Sequence, residues 1–149
     1  GKVKMQNELN KLKYRNCDIS DWEGKLNTNN NNRALTGFWI ESSLKISPKE
    51  QVEVMERIFG TDSTYSERTQ NILKQVMLIS EENNTEISIY GKTGMGKAEG
   101  IVVDAWFTGF AETLEGNKYF CVYLGQSDAG NTSSTAAKEI AIQILNDNK

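Results

Sequence analysis

Residues 86–110 read EISIYGKTGMGKAEGIVVDAWFTGF, with Gly91, Gly96 and Lys97 at the G-x-x-x-x-G-K spacing of a phosphate-binding loop. Such a loop succeeds a strand and opens a helix, because the free N–H groups of the helix N-terminus hold the phosphates. A strand does precede, since EISIY alternates apolar and polar residues. The residues after Lys97 do not suit a helix. The position where a hydroxyl would bind magnesium is Ala98, and AEGIVVDAWFTGF then reads as a turn and a second strand. IVVD imitates the acidic strand that accompanies phosphate loops, but it comes too soon to leave room for a helix. The stretch is therefore two strands around a turn.

It also contains Lys92-Thr93-Gly94. At a sheet edge this triplet can do specific work in a serine acyl-transfer site. The lysine adds positive charge and the threonine hydroxyl can bond a carboxylate. The glycine leaves room for a substrate backbone. The next N–H, that of Met95, can face a developing oxyanion. A glycine-rich hairpin would hold the same three residues, so the triplet needs company.

Downstream, KYFCVYLG (118–125) reads as a third strand, joined to VVDAWFTGFAE (102–112) by the short link TLEGN, an antiparallel hairpin. TAAKEIAIQILND (135–147) is a helix with Ala137, Ile140, Ala141, Ile144 and Leu145 on one face. Upstream, SPKEQVEVMERIFG (47–60) is a marked helix: Ser47 caps it, Pro48 suits its first position and Glu50 completes a capping box. Val52, Met55, Ile58 and Phe59 form its inner face, and Gly60 is its stop. SERTQNILKQVMLIS (66–80) is a further helix with Ile72, Leu73, Val76 and Met77 inward. Residues 2–14 carry Val3, Met5, Leu9 and Leu12 at helical spacing, and NTNNNN (27–32) is an asparagine loop. Helices, three strands and a last helix predict an α+β domain with the C-terminal helix packed on an antiparallel sheet. Residues 1–83 form its mostly helical portion and 84–149 its sheet and final helix.

With 149 residues, 38% hydrophobic and 25% charged, the chain has the composition of one soluble domain with a modest core. Its 17 basic and 20 acidic residues are mixed along the chain, net −3, so no basic stripe supports nucleic-acid binding. No apolar run approaches the ~18 residues of a membrane span, and no signal peptide is visible. In a fragment of a longer protein, both could have been cut away. The absence of histidine excludes a Ser-His-Asp triad and His-containing zinc sites, leaving Lys, Glu, Asp, Tyr or water to move protons. Cys17 and Cys121 have no metal-site spacing, and Cys121 reads as a small hydrophobe within a strand.

Three more blocks accompany the triplet. FWIESSLKISPKEQV (38–52) resembles FWLE-x-SLKIS-P-x-EQV of class D β-lactamases and their sensor relatives. AWFTGF (105–110) resembles GWFVGY, the strand after the family's Lys-Thr-Gly. MQNELNKLKYRNCDIS (5–20) resembles its helix ending in Tyr-Gly-Asn and DIS. The blocks keep the family's order and cover most of the chain. Residues 1–149 thus resemble the C-terminal part of one β-lactamase/transpeptidase-like domain.

The resemblance implies a serine acyl-enzyme that takes β-lactams and needs no metal or other cofactor. The family's Ser-x-x-Lys nucleophile and base, and its Ser-x-Val motif, lie upstream of the first matching block. This chain is therefore expected to lack them, to be inactive alone and to partner the missing N-terminal half of the domain. Lys92, Thr93, Gly94 and Met95 are the expected substrate-binding residues. Trp39, Tyr14, Asn16, Trp106 and Gly109 are expected to support them, Trp39 through an indole N–H that steadies a carboxylated lysine. For Trp39, Trp106 and Gly109 simple packing is the competing role. Ser42 and Lys45 formally match Ser-x-x-Lys, but the matching family segment is a loop closing one side of the site. Two departures stand out. Arg15 replaces the middle glycine of Tyr-Gly-Asn, and no arginine follows Arg68, whereas many class D enzymes bind the substrate carboxylate with an arginine near the last helix. The Ser133–Thr135 region and Lys138 offer the only local help.

Two functions fit. One is the extracellular sensor of a BlaR/MecR-type transducer, attached to a membrane only through other parts of its parent. The other is a secreted, hydrolytic class D β-lactamase. A penicillin-binding transpeptidase relative is the third possibility. The missing strands would also leave an exposed sheet edge, through which copies of the chain would self-associate.

Overall fold

The computed structural model of the protein describes residues 1–21, 25–26, 33–34, 43–80, 87–126 and 132–147. Two compact units are distinguished, Gly1–Glu50 and Gln51–Lys149.

The first unit opens with α1 (Lys2–Lys11), which buries Leu9. Val3, expected on the inner face, is 74% exposed. It stands in the first turn of the helix. After α1 the chain turns sharply through Lys13, Arg15 and Cys17, all with positive φ, and then buries Ile19 completely. Two short strands, β1 (Lys25–Leu26) and β2 (Arg33–Ala34), pair antiparallel. The asparagine run between them lies outside the described residues.

The boundary between the units falls within α2 (Pro48–Phe59). Its capping box forms as the sequence predicts: the Ser47 N–H and hydroxyl donate to Glu50 Oε2 at 2.9 and 2.6 Å, and the Glu50 N–H donates to Ser47 Oγ at 3.3 Å. In the second unit α2 buries Val54, Met55 and Phe59, whereas Val52 and Ile58 are only partly covered. The next helix, α3 (Glu67–Met77), is capped by Ser66. It stops earlier than its periodicity predicts. Leu78 leaves the helical region, and β3 (Leu78–Ser80) pairs with the next strand instead. The sheet therefore has four strands where the sequence predicts three. The physical reason is local: Leu-Ile-Ser has the apolar and β-branched character of a strand, and the edge of Ile89–Tyr90 offers it backbone partners.

Strands β4 (Ser88–Ala98), β5 (Ile101–Thr113) and β6 (Gly116–Gly125) come next, and the order is β3-β4-β5-β6, antiparallel throughout. The turn between β4 and β5 has positive φ at both central residues, Glu99 and Gly100, as a two-residue hairpin of the favoured twist requires. The last helix, α4 (Ser134–Asp147), takes the Ala136 N–H on Ser133 Oγ at 3.0 Å.

Alternation along β5 assigns the two faces of the sheet. On one, Phe107 is fully buried against Ala137 and Ala141 of α4, with Phe120, Val122, Leu124 and Ile79 around it. On the other, Phe110 is fully buried with Met55 and Phe59 of α2, and Leu73, Met77, Tyr90 and Tyr119 complete the cluster. The Tyr90 and Phe110 rings stack at 4.8 Å. Each helix meets the sheet with a narrower stripe than its periodicity predicts. Ile72 and Val76 of α3 are 51% and 74% exposed, and Ile140 and Ile144 of α4 are 38% and 53% exposed. The fold is α+β, with helices on both faces of an antiparallel sheet.

Candidate functional site

Lys92, Thr93, Gly94 and Met95 lie in the middle of β4, opposite Thr108, Phe107, Trp106 and Ala105 of β5. On its other side β4 is paired with β3 only at Ile89 and Tyr90. From Gly91 to Ala98 that edge has no strand partner among the described residues. The triplet thus presents backbone and side chains at an open edge. Lys92 is exposed, and its Nζ donates to the Thr93 carbonyl at 2.9 Å and approaches Thr93 Oγ1 at 3.4 Å. A positive charge and a hydroxyl are thereby held side by side. That pairing suits a carboxylate, which takes a charge-assisted bond from one and a hydroxyl bond from the other.

The glycines of these strands answer to different constraints. A Cβ on Gly109 would stand 1.9 Å from the Tyr90 carbonyl oxygen, and one on Gly91, its partner in register, 2.4 Å from the Phe107 ring. Both glycines are demanded by packing. A Cβ on Gly94 would meet nothing nearer than Trp106 Cβ at 3.6 Å, an ordinary contact. Among the described residues, nothing in the fold requires Gly94 to be glycine.

Trp106 lies across from Gly94. Its indole N–H donates to Asp104 Oδ1 at 3.1 Å and its ring packs on Tyr123 at 4.6 Å. Asp104 also fills the space beside Gly96, where a Cβ would come within 2.7 Å of the carboxylate. Sequence reasoning missed Asp104. The available signal was its register opposite Gly96, which only strand pairing reveals. A second carboxylate, Glu112, accepts from Tyr90 Oη at 3.0 Å and pairs with Lys74, whose ammonium stands over the Phe110 ring. Cys121, opposite Thr108, is half-buried, and burial pushes its thiol up to about 11 against a smaller opposing pull from the Thr108 hydroxyl. A thiol so protonated is a poor nucleophile. Both cysteines are free.

In the first unit, Tyr14 and Asn16 form the turn after α1. The Tyr14 N–H donates to the Leu9 carbonyl at 3.0 Å. Asn16 spans the segment before α2: its Nδ2 donates to the Ser43 carbonyl at 2.5 Å and its Oδ1 accepts from the Lys45 N–H at 3.1 Å. Ser43 is also held by Asp21, which accepts from its N–H at 2.9 Å and its hydroxyl at 2.7 Å. Trp39 and Ser42 lie outside the described residues.

Comparisons with known proteins identify the family. Residues 1–146 match the family model of the penicillin binding protein transpeptidase domain. The chain is 35% identical to the β-lactamase OXA-1 of Escherichia coli over 98% of its own length and 51% of that enzyme. It is 33% identical to the regulatory protein BlaR1 of Staphylococcus aureus over 78% of its length and 19% of that protein. A solved class D β-lactamase from Bacillus subtilis superposes with a TM-score of 0.70 at 30% identity, covering 97% of this chain and 52% of the other. The chain belongs to the penicillin binding protein transpeptidase domain family, and its relatives there are class D β-lactamases and BlaR1-type regulators. It spans about half the length of the class D enzymes it matches.

Proposed function

We propose that this chain supplies the sheet-edge wall of a β-lactam site in a serine acyl-enzyme domain, of which residues 1–149 are the C-terminal part. The observation that carries the reading is Gly94. It stands at an open edge beside a paired ammonium and hydroxyl, and unlike Gly91 and Gly109 it has no packing reason to be glycine among the described residues. A ligand lying along β4 supplies the reason. Lys92 and Thr93 hold the substrate carboxylate, Gly94 lets the ligand approach and the Met95 N–H faces the oxyanion. Trp106 and Gly109 support the triplet from β5, and Tyr14, Asn16 and Trp39 take the supporting roles that the family resemblance gives them. The nucleophilic serine and its lysine come from the remainder of the domain.

The acylated domain serves as a receptor when its adduct persists and as a β-lactamase when water clears it. The altered Tyr-Arg-Asn turn and the lack of an arginine after Arg68 favour the receptor, on the extracellular face of a membrane. The similarity to OXA-1 over 98% of the chain, against 78% for BlaR1, favours the secreted hydrolase. Intact mass followed over time after adding a β-lactam to the full-length parent separates them. An adduct stable for hours means a receptor, and one that vanishes with ring-opened product accumulating means a hydrolase. No adduct on the parent at all would overturn the proposal.

A further inference from the structure

The turn after α1 is backbone-strained in a way its sequence need not be. Lys13, Arg15 and Cys17 have φ of 50°, 37° and 49°, a region that disfavours any residue with a Cβ. Glycine at each of the three would relieve the strain at that position. The turn is nonetheless tied on every side. Tyr14 N–H bonds Leu9, Gln6 Nε2 donates to the Cys17 carbonyl, and the Cys17 thiol donates to the Leu9 carbonyl at 3.4 Å. What Arg15 adds, and glycine would not, is a guanidinium that donates to Glu50 Oε1 at 2.8 Å. Glu50 uses its other oxygen for the N–H and hydroxyl of Ser47. Asn16, the next residue, holds Ser43 and Lys45. Two consecutive side chains of one strained turn thus grip both ends of segment 43–47.

We infer that Arg15 is a positioning residue: its ion pair with Glu50 completes a two-point clamp, with Asn16, that fixes segment 43–47 immediately before α2. The geometry is specific. Asn16 binds main-chain atoms at the front of the segment, and Arg15 reaches its rear through the capping glutamate. The functional half of this inference rests on the proposal above, because segment 38–52 resembles the loop that closes one side of the β-lactam site in class D enzymes.

Arg15→Gly and Arg15→Lys in the full-length parent test it with three readouts: thermal unfolding, amide hydrogen exchange at Ser43–Ser47 and the rate of acylation by a chromogenic cephalosporin. Arg15→Gly removes the Arg15 point of the clamp together with the backbone strain at residue 15. Its melting temperature should stay within about 2 °C of wild type. Exchange at Ser43–Ser47 should quicken and acylation should slow, each by about tenfold, well inside what a misplaced positioning group costs. Arg15→Lys keeps a cation within reach of Glu50 and should recover most of both. Wild-type exchange in Arg15→Gly would overturn the clamp. Faster exchange with unchanged acylation would overturn its functional role. A melting temperature that falls in step with the acylation rate would reduce Arg15 to a structural residue. If the wild-type parent is never acylated, the β-lactam reading fails and the exchange experiment still decides the clamp.

Discussion

Residues 1–50 and residues 51–149 are held together by different forces. Among the described residues, the first unit buries only Leu9 and Ile19 as apolar side chains. Its order comes from carboxylates and amides gripping serines and main chain: Asp18 on Ser20, Asp21 on Ser43, Glu50 on Ser47 and Asn16 on Ser43 and Lys45. The second unit buries Phe59, Phe107 and Phe110 on two faces of a sheet. Apolar burial is non-directional and insensitive to pH, whereas exposed hydrogen-bonded carboxylates are directional and titrate. The sheet is thus held by apolar burial on both of its faces, and the candidate edge of β4 belongs to it. The polar unit is built to place a short segment accurately.

Removing a ring from the apolar unit should have the largest effect. Phe110→Ala should cost about 3–5 kcal/mol, because the side chain is fully buried and contacts residues from α2, α3, β4 and β6. Urea unfolding followed by tryptophan fluorescence measures it, and a loss below about 1 kcal/mol would mean that the cluster is loosely packed.

Two glycines on facing strands carry the contrast into the sheet itself. Gly109→Ala should destabilise by about 3 kcal/mol, since its methyl collides with main chain. Gly94→Ala should change stability by less than about 0.5 kcal/mol. In the full-length parent the same change should slow acylation at least about tenfold, through loss of ligand approach. Equal stability losses in the two variants would contradict the different surroundings of the two positions.

Acid should act on the polar unit first. Ser47's hydroxyl and amide, and then Arg15, hold the Glu50 carboxyl at about 2, below its ordinary 4.5, and the Ser20 and Ser43 bonds lower Asp18 and Asp21 in the same direction. A depressed carboxyl stabilises the fold only while it is ionised. Glu50's contribution is complete above 4.5, where even the unfolded chain is ionised, and disappears as pH falls towards 2. Hydrogen exchange between those limits should show residues 43–50 opening before β4–β6. Glu50→Gln should flatten that dependence, and a sheet that opens first would reverse the assignment of forces to the two units.

The smallest effect concerns Cys121. With its thiol near 11 it should react with a disulfide reagent at pH 8 far more slowly in the folded protein than in urea, and equal rates would show that it is not shielded.

Much of this molecule was legible in the sequence. The choice between a phosphate loop and a strand pair was decided by Ala98 and the apolar run after it. The capping box of Ser47 and Glu50 formed as written, because it depends only on residues three apart. The α+β order followed from periodicity, caps and turn residues, and the family from four sequence blocks. The misreadings share a cause. Periodicity marks which residues share a helix face, but not how much of that face a neighbour covers, so Ile72, Val76, Ile140 and Ile144 were expected inward and are exposed. For the same reason Leu78–Ser80 passed for helix, since only a strand edge at Ile89–Tyr90 makes it a strand.

The candidate site divides the same way. Charge, hydroxyl and missing side chain at residues 92–94 could be read from the chain directly, because they are properties of the residues themselves. Three other facts came only with the folded arrangement: which glycines packing demands, that Asp104 lies beside Gly96, and that Arg15 reaches Glu50. They depend on strand register and on a turn with three left-handed residues, and both arise from contacts between residues far apart in the chain.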